Sequence, residues 1–149
     1  MNISRVAVVL THDVLDPAAI ESEVQVDAAG AVVSFIGTTR NQHEGKKVIS
    51  LEYEAQEKMA QKMLEALCLE ALTKYDLCRA RVQHRLGRVD IGQISVVVAV
   101  SSVHRGAAFD GCRHIIDNLK KAVPIFKKEH YSDAAPAQWI GPDGKPIGV

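Results

Sequence analysis

Residues 94–100 read ISVVVAV, apolar at six of seven positions. A strand with one wet face alternates apolar and polar side chains, so this one belongs in the middle of a sheet covered on both faces. Two segments have the helical period needed to cover it. In residues 58–75 the apolar positions are 60, 63, 64, 67, 71 and 72, giving an amphipathic helix of four to five turns. In residues 107–123 they are 108, 112, 115, 116, 119 and 123, and Pro124 ends that second long helix.

The rest of the chain reads as short elements. Residues 6–11 form a β-branched strand, and Asp16 followed by Pro17 starts a short helix that runs to residue 24. A strand over 31–36 is stopped by Gly37, and the polar stretch 38–47 reads as an exposed loop. Residues 48–54 alternate as a strand with one wet face. A strand over 80–85 precedes the apolar one, separated from it by a turn containing Gly87 and Gly92, and 125–131 forms the last strand. With three Gly and two Pro, residues 141–149 are expected to be a flexible, partner-dependent tail. This order, without repeat or linker, predicts a single α+β domain over 1–149, with helices packed on a mixed or antiparallel sheet.

The longest unbroken apolar runs are five residues, far short of the roughly 18 needed to span a bilayer, and no secretory leader pattern is present. A cytoplasmic protein with no membrane partner is expected. Three cysteines, at 68, 78 and 112, are never spaced as CxxC and read as buried thiols. Eighteen basic and eighteen acidic residues leave no net charge to attract nucleic acid. The balance is uneven, however. Residues 1–60 carry five basic and nine acidic side chains, whereas 61–149 carry thirteen and nine, so a basic region of the second half can face a small anion.

Three constellations have the residue types for such a site. In SFIGTTRN, residues 34–41, a buried strand delivers Arg40 into a loop, where a guanidinium matches a phosphate or carboxylate; a solvated turn fits the same residues. In SSVHRGAAF, residues 101–109, His104 and Arg105 stand at a helix N-terminus, a locally unfavourable place for cations that suggests an anion site; a Ser102 cap beside an exposed Arg is the alternative. In LKKAVPIFKKE, residues 119–129, four lysines flank Pro124, and crowding with Arg40 or Arg105 would lower a lysine's pKa. Here the alternative is a helix end whose lysines meet terminal carbonyls. No metal is expected, because none of the six His forms HxH or HExxH, and GxxxxGK[ST], GxSxG and GxGxxG are all missing.

Taken together, FIGTTRN, GKKVISLEYEA (45–55), HRLG (84–87), AVSSVHR (99–105) and DNLKKAVPIFKKE (117–129) closely resemble the large, catalytic subunit of molybdopterin synthase, over residues 30–141. The resemblance implies an α/β hammerhead-like fold with an added antiparallel subdomain. It also implies sulfur transfer that converts cyclic pyranopterin monophosphate to the dithiolene molybdopterin, without a cofactor. The sulfur would come from a thiocarboxylate on the C-terminal Gly of a small ubiquitin-like subunit, in a heterotetramer built on a homodimer of large subunits. Matched by motif, Lys120 and Lys127 are the catalytic lysines, and Arg40, His104 and Arg105 line the phosphate pocket. The chain departs from the family in its tail, where only Lys145 is basic after Trp139. The rival expectation is a noncatalytic module that binds an anion or nucleotide, or docks a ubiquitin-like protein.

Overall fold

The computed structural model describes residues 4–133 and 135–147. Among them the chain runs β1 (Val6–Thr11), α1 (Pro17–Val24), β2 (Ala31–Thr38), β3 (Gln42–His43), β4 (Lys46–Ala55), α2 (Glu57–Tyr75), β5 (Leu77–Arg85), β6 (Gly87–Asp90), β7 (Ile94–Ser102), α3 (Arg105–Ala122), β8 (Ile125–Tyr131) and β9 (Gln138–Ile140). One sheet has the order β1-β5-β7-β2, with β1 parallel to β5 and the other pairs antiparallel. The second sheet is antiparallel, ordered β3-β4-β8-β9 with β6 also on β4. This is the α+β architecture that the element order predicts.

The apolar strand β7 lies between β5 and β2, and its side chains divide as a two-period requires. Val96, Val98 and Val100 pack on the face covered by α2 and α3, against Leu64, Cys68, Cys112 and Ile115. Val97 and Ala99 point the other way, onto Leu15, Ile20 and Val24 around α1. Each fully buried Val, Leu or Ile contributes roughly 1.5–3 kcal/mol, so this doubly covered strand anchors the fold. α3 also closes tightly on the neighbouring strand β5: a Cβ on Gly111 would come within 2.7 Å of a Leu77 methyl.

Local chemistry sets the ends of the elements. Asp16 accepts a hydrogen bond from the Ala19 N–H at 3.4 Å and caps α1, with Pro17 in its first turn. The far end of α3 is set by Pro124, whose ring pushes the residue before it out of the helical region. The chain is accordingly extended at Val123 and turns directly into β8.

Three short strands depart from the sequence expectation. The stretch 38–47 is not simply an exposed loop: β3 pairs with the start of β4 across a two-residue turn, Glu44 and Gly45, both in the left-handed region (φ 48° and 78°). β6 lies in the expected 87–92 turn, and β9 pairs with β8. The tail carries local hydrogen bonds of its own. Residues 141–147 fold back, with Gly141 N–H donating to Lys145 O (2.8 Å) and Ile147 N–H to Trp139 O (2.9 Å), while 148 and 149 lie outside the described residues.

Candidate active site

α3 ends where the two sheets meet, and a cleft of about 820 Å³ opens there. Its walls are the end of β2, the middle of β4, the last turn of α3, the start of β8 and the turn after β9. Each cationic side chain is delivered by an element that must end or turn at that point. β2 finishes at Thr38, and Thr39 is pinned to the neighbouring loop, its N–H donating to Gln93 O (3.1 Å) and its carbonyl accepting from Gly92 N–H (2.9 Å). Arg40 therefore leaves a fixed strand end and lines the cleft. In the last turn of α3, Leu119 is buried in the core. Lys120, about 100° further round, is exposed at the edge of that face and lines the cleft with Lys121. Lys127 reaches the same space from β8, paired with Tyr53 on one side and Ile140 on the other.

Lys127 is half-buried, and its amine titrates below the ordinary lysine range. Burial is the main cause, the Lys120 charge adds to it, Glu129 opposes it, and Arg40 again lowers it. Glu129 is itself buried, accepts from the Tyr131 hydroxyl at 2.9 Å and faces His43 Nδ1 at 3.0 Å. The cleft thus holds a crowded cationic group over an engaged carboxylate, an arrangement suited to anions and to proton transfer at a lower pH than an ordinary lysine allows.

His84, at the end of β5, also lines the cleft and is buried. Burial drives its pKa down to about 4; the Nδ1 hydrogen bond to Arg85 O opposes the shift and the Lys120 charge assists it. The ring is neutral in the folded protein at pH 7. Between about pH 6.5 and 4 the unfolded chain takes up a proton that the fold refuses, so this group's stabilisation is lost as pH falls through that window. We predict that the unfolding free energy, measured by urea titration at pH 7 and pH 4, falls by about 3 kcal/mol more in the wild type than in His84→Gln. Equal losses in the two proteins would contradict this.

The structure brings together Arg40, Lys120 and Lys127, three of the five residues the motifs single out. It does not bring His104 and Arg105 to this cleft of the same chain. Both are exposed at the first turn of α3, about 22 Å along the helix axis from Lys120, and neither lines this cleft. Nor does Ser102 cap α3, since its hydroxyl donates to His104 O at 2.5 Å. Missed by sequence reasoning were Tyr53, His84 and Glu129, of which His84 carried a signal, standing first in HRLG at a strand end.

Two sheets, helices on both faces of one of them and a cationic cleft at their junction define an α+β protein with a site for a small anion. The comparisons specify it. Residues 10–122 match the family model described as MoaE protein. A molybdopterin synthase catalytic subunit of Culex quinquefasciatus is 46% identical over 125 residues, 83% of this chain and 80% of that one. The Bacillus subtilis catalytic subunit is 43% identical, covering 83% of each chain. Among solved structures, the Staphylococcus aureus molybdopterin synthase superposes with a TM-score of 0.83 at 32% identity, over 94% of this chain and 99% of that one. A complex of subunits 1 and 2 of the Helicobacter pylori molybdopterin-converting factor shares the fold, with a TM-score of 0.69 at 21% identity over 87% of this chain and 86% of that one. The chain belongs to the MoaE family of molybdopterin synthase catalytic subunits, and is an enzyme of molybdopterin synthesis.

Proposed function

We propose that the cleft binds cyclic pyranopterin monophosphate and receives sulfur from a thiocarboxylate at the C-terminal Gly of a small ubiquitin-like subunit. The convergence of Arg40, Lys120 and Lys127 on one cleft carries this reading. Both reactants are anions, and a partly dehydrated pocket with fixed cations is what brings two anions together. In each transfer the sulfur forms a bond to a pterin side-chain carbon as that carbon's C–O bond breaks and its oxygen leaves, protonated or on the phosphate; the acyl C–S bond then breaks as water adds to the acyl carbon, which leaves the donor a carboxylate. Arg40 holds the phosphate, Lys120 meets the thiocarboxylate, and Lys127, with its lowered pKa, exchanges a proton. The Helicobacter pylori complex, in which two subunits of a molybdopterin-converting factor assemble, supports a small-subunit partner.

The same reading calls for a homodimer at the centre of a heterotetramer. β2 is an edge strand, unpaired on its outer side among the described residues. Its first residue pairs with Ser102, close to His104 and Arg105, while its far end leads into Arg40. Two copies joined antiparallel along this edge bring the α3 start of one beside the Arg40 loop of the other, so that His104 and Arg105 serve the neighbouring phosphate pocket. Light scattering is expected to give twice the chain mass, and a larger particle once the small subunit is added. Mixing Lys120→Ala with Arg105→Ala, each nearly inactive alone, is expected to restore part of the activity, because a mixed dimer contains one intact cleft. A monomer, or a mixture with no recovery, would contradict the shared site.

A further inference from the structure

His84 continues the helix-side face of β5, after Ala80 and Val82, yet it is the one member of that row with a polar ring. Only 3% of it is exposed, and it stands edge-on to Tyr53 of β4, the ring centres 4.8 Å apart and the planes at 68°. The imidazole therefore spans the junction of the two sheets, at the wall of the cleft. Its Nδ1 lies 2.8 Å from the carbonyl oxygen of Arg85. A carbonyl only accepts, so Nδ1 carries the proton and Nε2 keeps a bare lone pair. The Arg85 carbonyl is the ring's one hydrogen-bond partner among the described residues.

Lys120 is the complementary group. It lines the same cleft on a flexible four-carbon stem, and among the described residues no carboxylate comes within 4 Å of its ammonium. Glu129 is already engaged by Tyr131 and His43. An ammonium drawn into a dehydrated cleft needs an acceptor that does not neutralise it. We propose that His84 is a positioning residue for Lys120, its bare Nε2 accepting a hydrogen bond from the Lys120 ammonium and aiming that amine at the donor's thiocarboxylate. The Lys120 charge is already one of the causes that keep the His84 ring neutral, which places the two groups in each other's field. A ring that stays neutral accepts the bond without taking the proton.

This inference rests on the assignment of Lys120 to the transfer, so its first test needs no turnover. In the full chain with histidines labelled by nitrogen-15 and bound to the unmodified small subunit, the His84 Nε2 resonance is expected to sit at the position of a hydrogen-bonded acceptor, and to move to that of a bare nitrogen in Lys120→Met. An unmoved resonance overturns the contact, whatever the sulfur chemistry proves to be. The second test compares two variants, each first checked by thermal melting against the wild type. His84→Asn keeps a donor for Arg85 and loses the acceptor, and is expected to lower kcat roughly 10- to 150-fold, with the pterin dissociation constant within about twofold. His84→Gln returns an acceptor to the Nε2 position and is expected to recover most of that loss. Equal losses in both variants, or a loss confined to KM, overturn the positioning role; if either variant fails to fold, the resonance test decides.

Discussion

Lys120→Ala is expected to lower the rate of dithiolene formation roughly 100- to 1,000-fold, the usual loss when one preorganised charge donor is removed from a dehydrated site. The side chain is exposed at a helix end and holds no ion pair among the described residues, so the fold loses only the favourable placement of a cation near a helix C-terminus, about 0.3–1 kcal/mol. Melting and small-subunit binding should therefore stay close to wild type. The control is its neighbour. Lys121 also lines the cleft, but the charge that reaches Lys127 and His84 is that of Lys120. Lys121→Ala is expected to lose less than about tenfold. Single-turnover assays with thiocarboxylated small subunit compare the two, and equal losses would mean that bulk positive charge carries the function.

Lys127→Ala is expected to cost a similar factor, for a different reason. Its amine is held below the ordinary lysine range by burial, by Lys120 and by Arg40, so it can change protonation closer to neutral pH than a surface lysine. Removing one of those causes moves the group in a known direction. In Arg40→Gln a like charge is gone, the ammonium form of Lys127 is less disfavoured, and its pKa rises. The pH at which the single-turnover rate inflects should rise with it, on top of weaker pterin binding. Lys127→Arg keeps the charge but cannot release a proton, and should be as slow as Lys127→Ala. A downward shift in the inflection, or an active Lys127→Arg, would make Lys127 a fixed charge rather than a proton carrier.

Much of this fold is legible in local pattern. The unbroken apolar run of β7 announces a doubly covered strand, and Val96 and Val97 indeed pack into different cores. The periods of α2 and α3, the stop at Pro124 and the Asp16–Pro17 start lie where the pattern puts them, within two residues. What pattern cannot reach is pairing decided elsewhere in the chain. β3 has two residues and β9 three, too few to show any period, and each exists because β4 or β8 offers it an edge.

The site divides in the same way. Arg40, Lys120 and Lys127 each stand two residues from the end of a strand or helix, where Gly37 and Pro124 mark the break, and so are legible in local sequence. His104 and Arg105 belong to motifs of the same chemistry, but the 18 residues of α3 separate them from that cleft, a distance that motif order cannot reveal. His84 and Glu129 are hidden for the opposite reason. Alternation along β5 and β8 says which residues share a face, but not that this face is covered by a second sheet and lines a cleft.

The most direct measurement is a single incubation of this chain with thiocarboxylated small subunit and cyclic pyranopterin monophosphate, following pterin-bound sulfur and the mass of the small subunit's C-terminus. The account predicts two sulfurs on each pterin, one small-subunit thiocarboxylate converted to carboxylate for each, and loss of both signals in Lys120→Ala. Dithiolene formed at the wild-type rate without Lys120, or no dithiolene from the intact chain while the pterin and the small subunit are both bound, would contradict it.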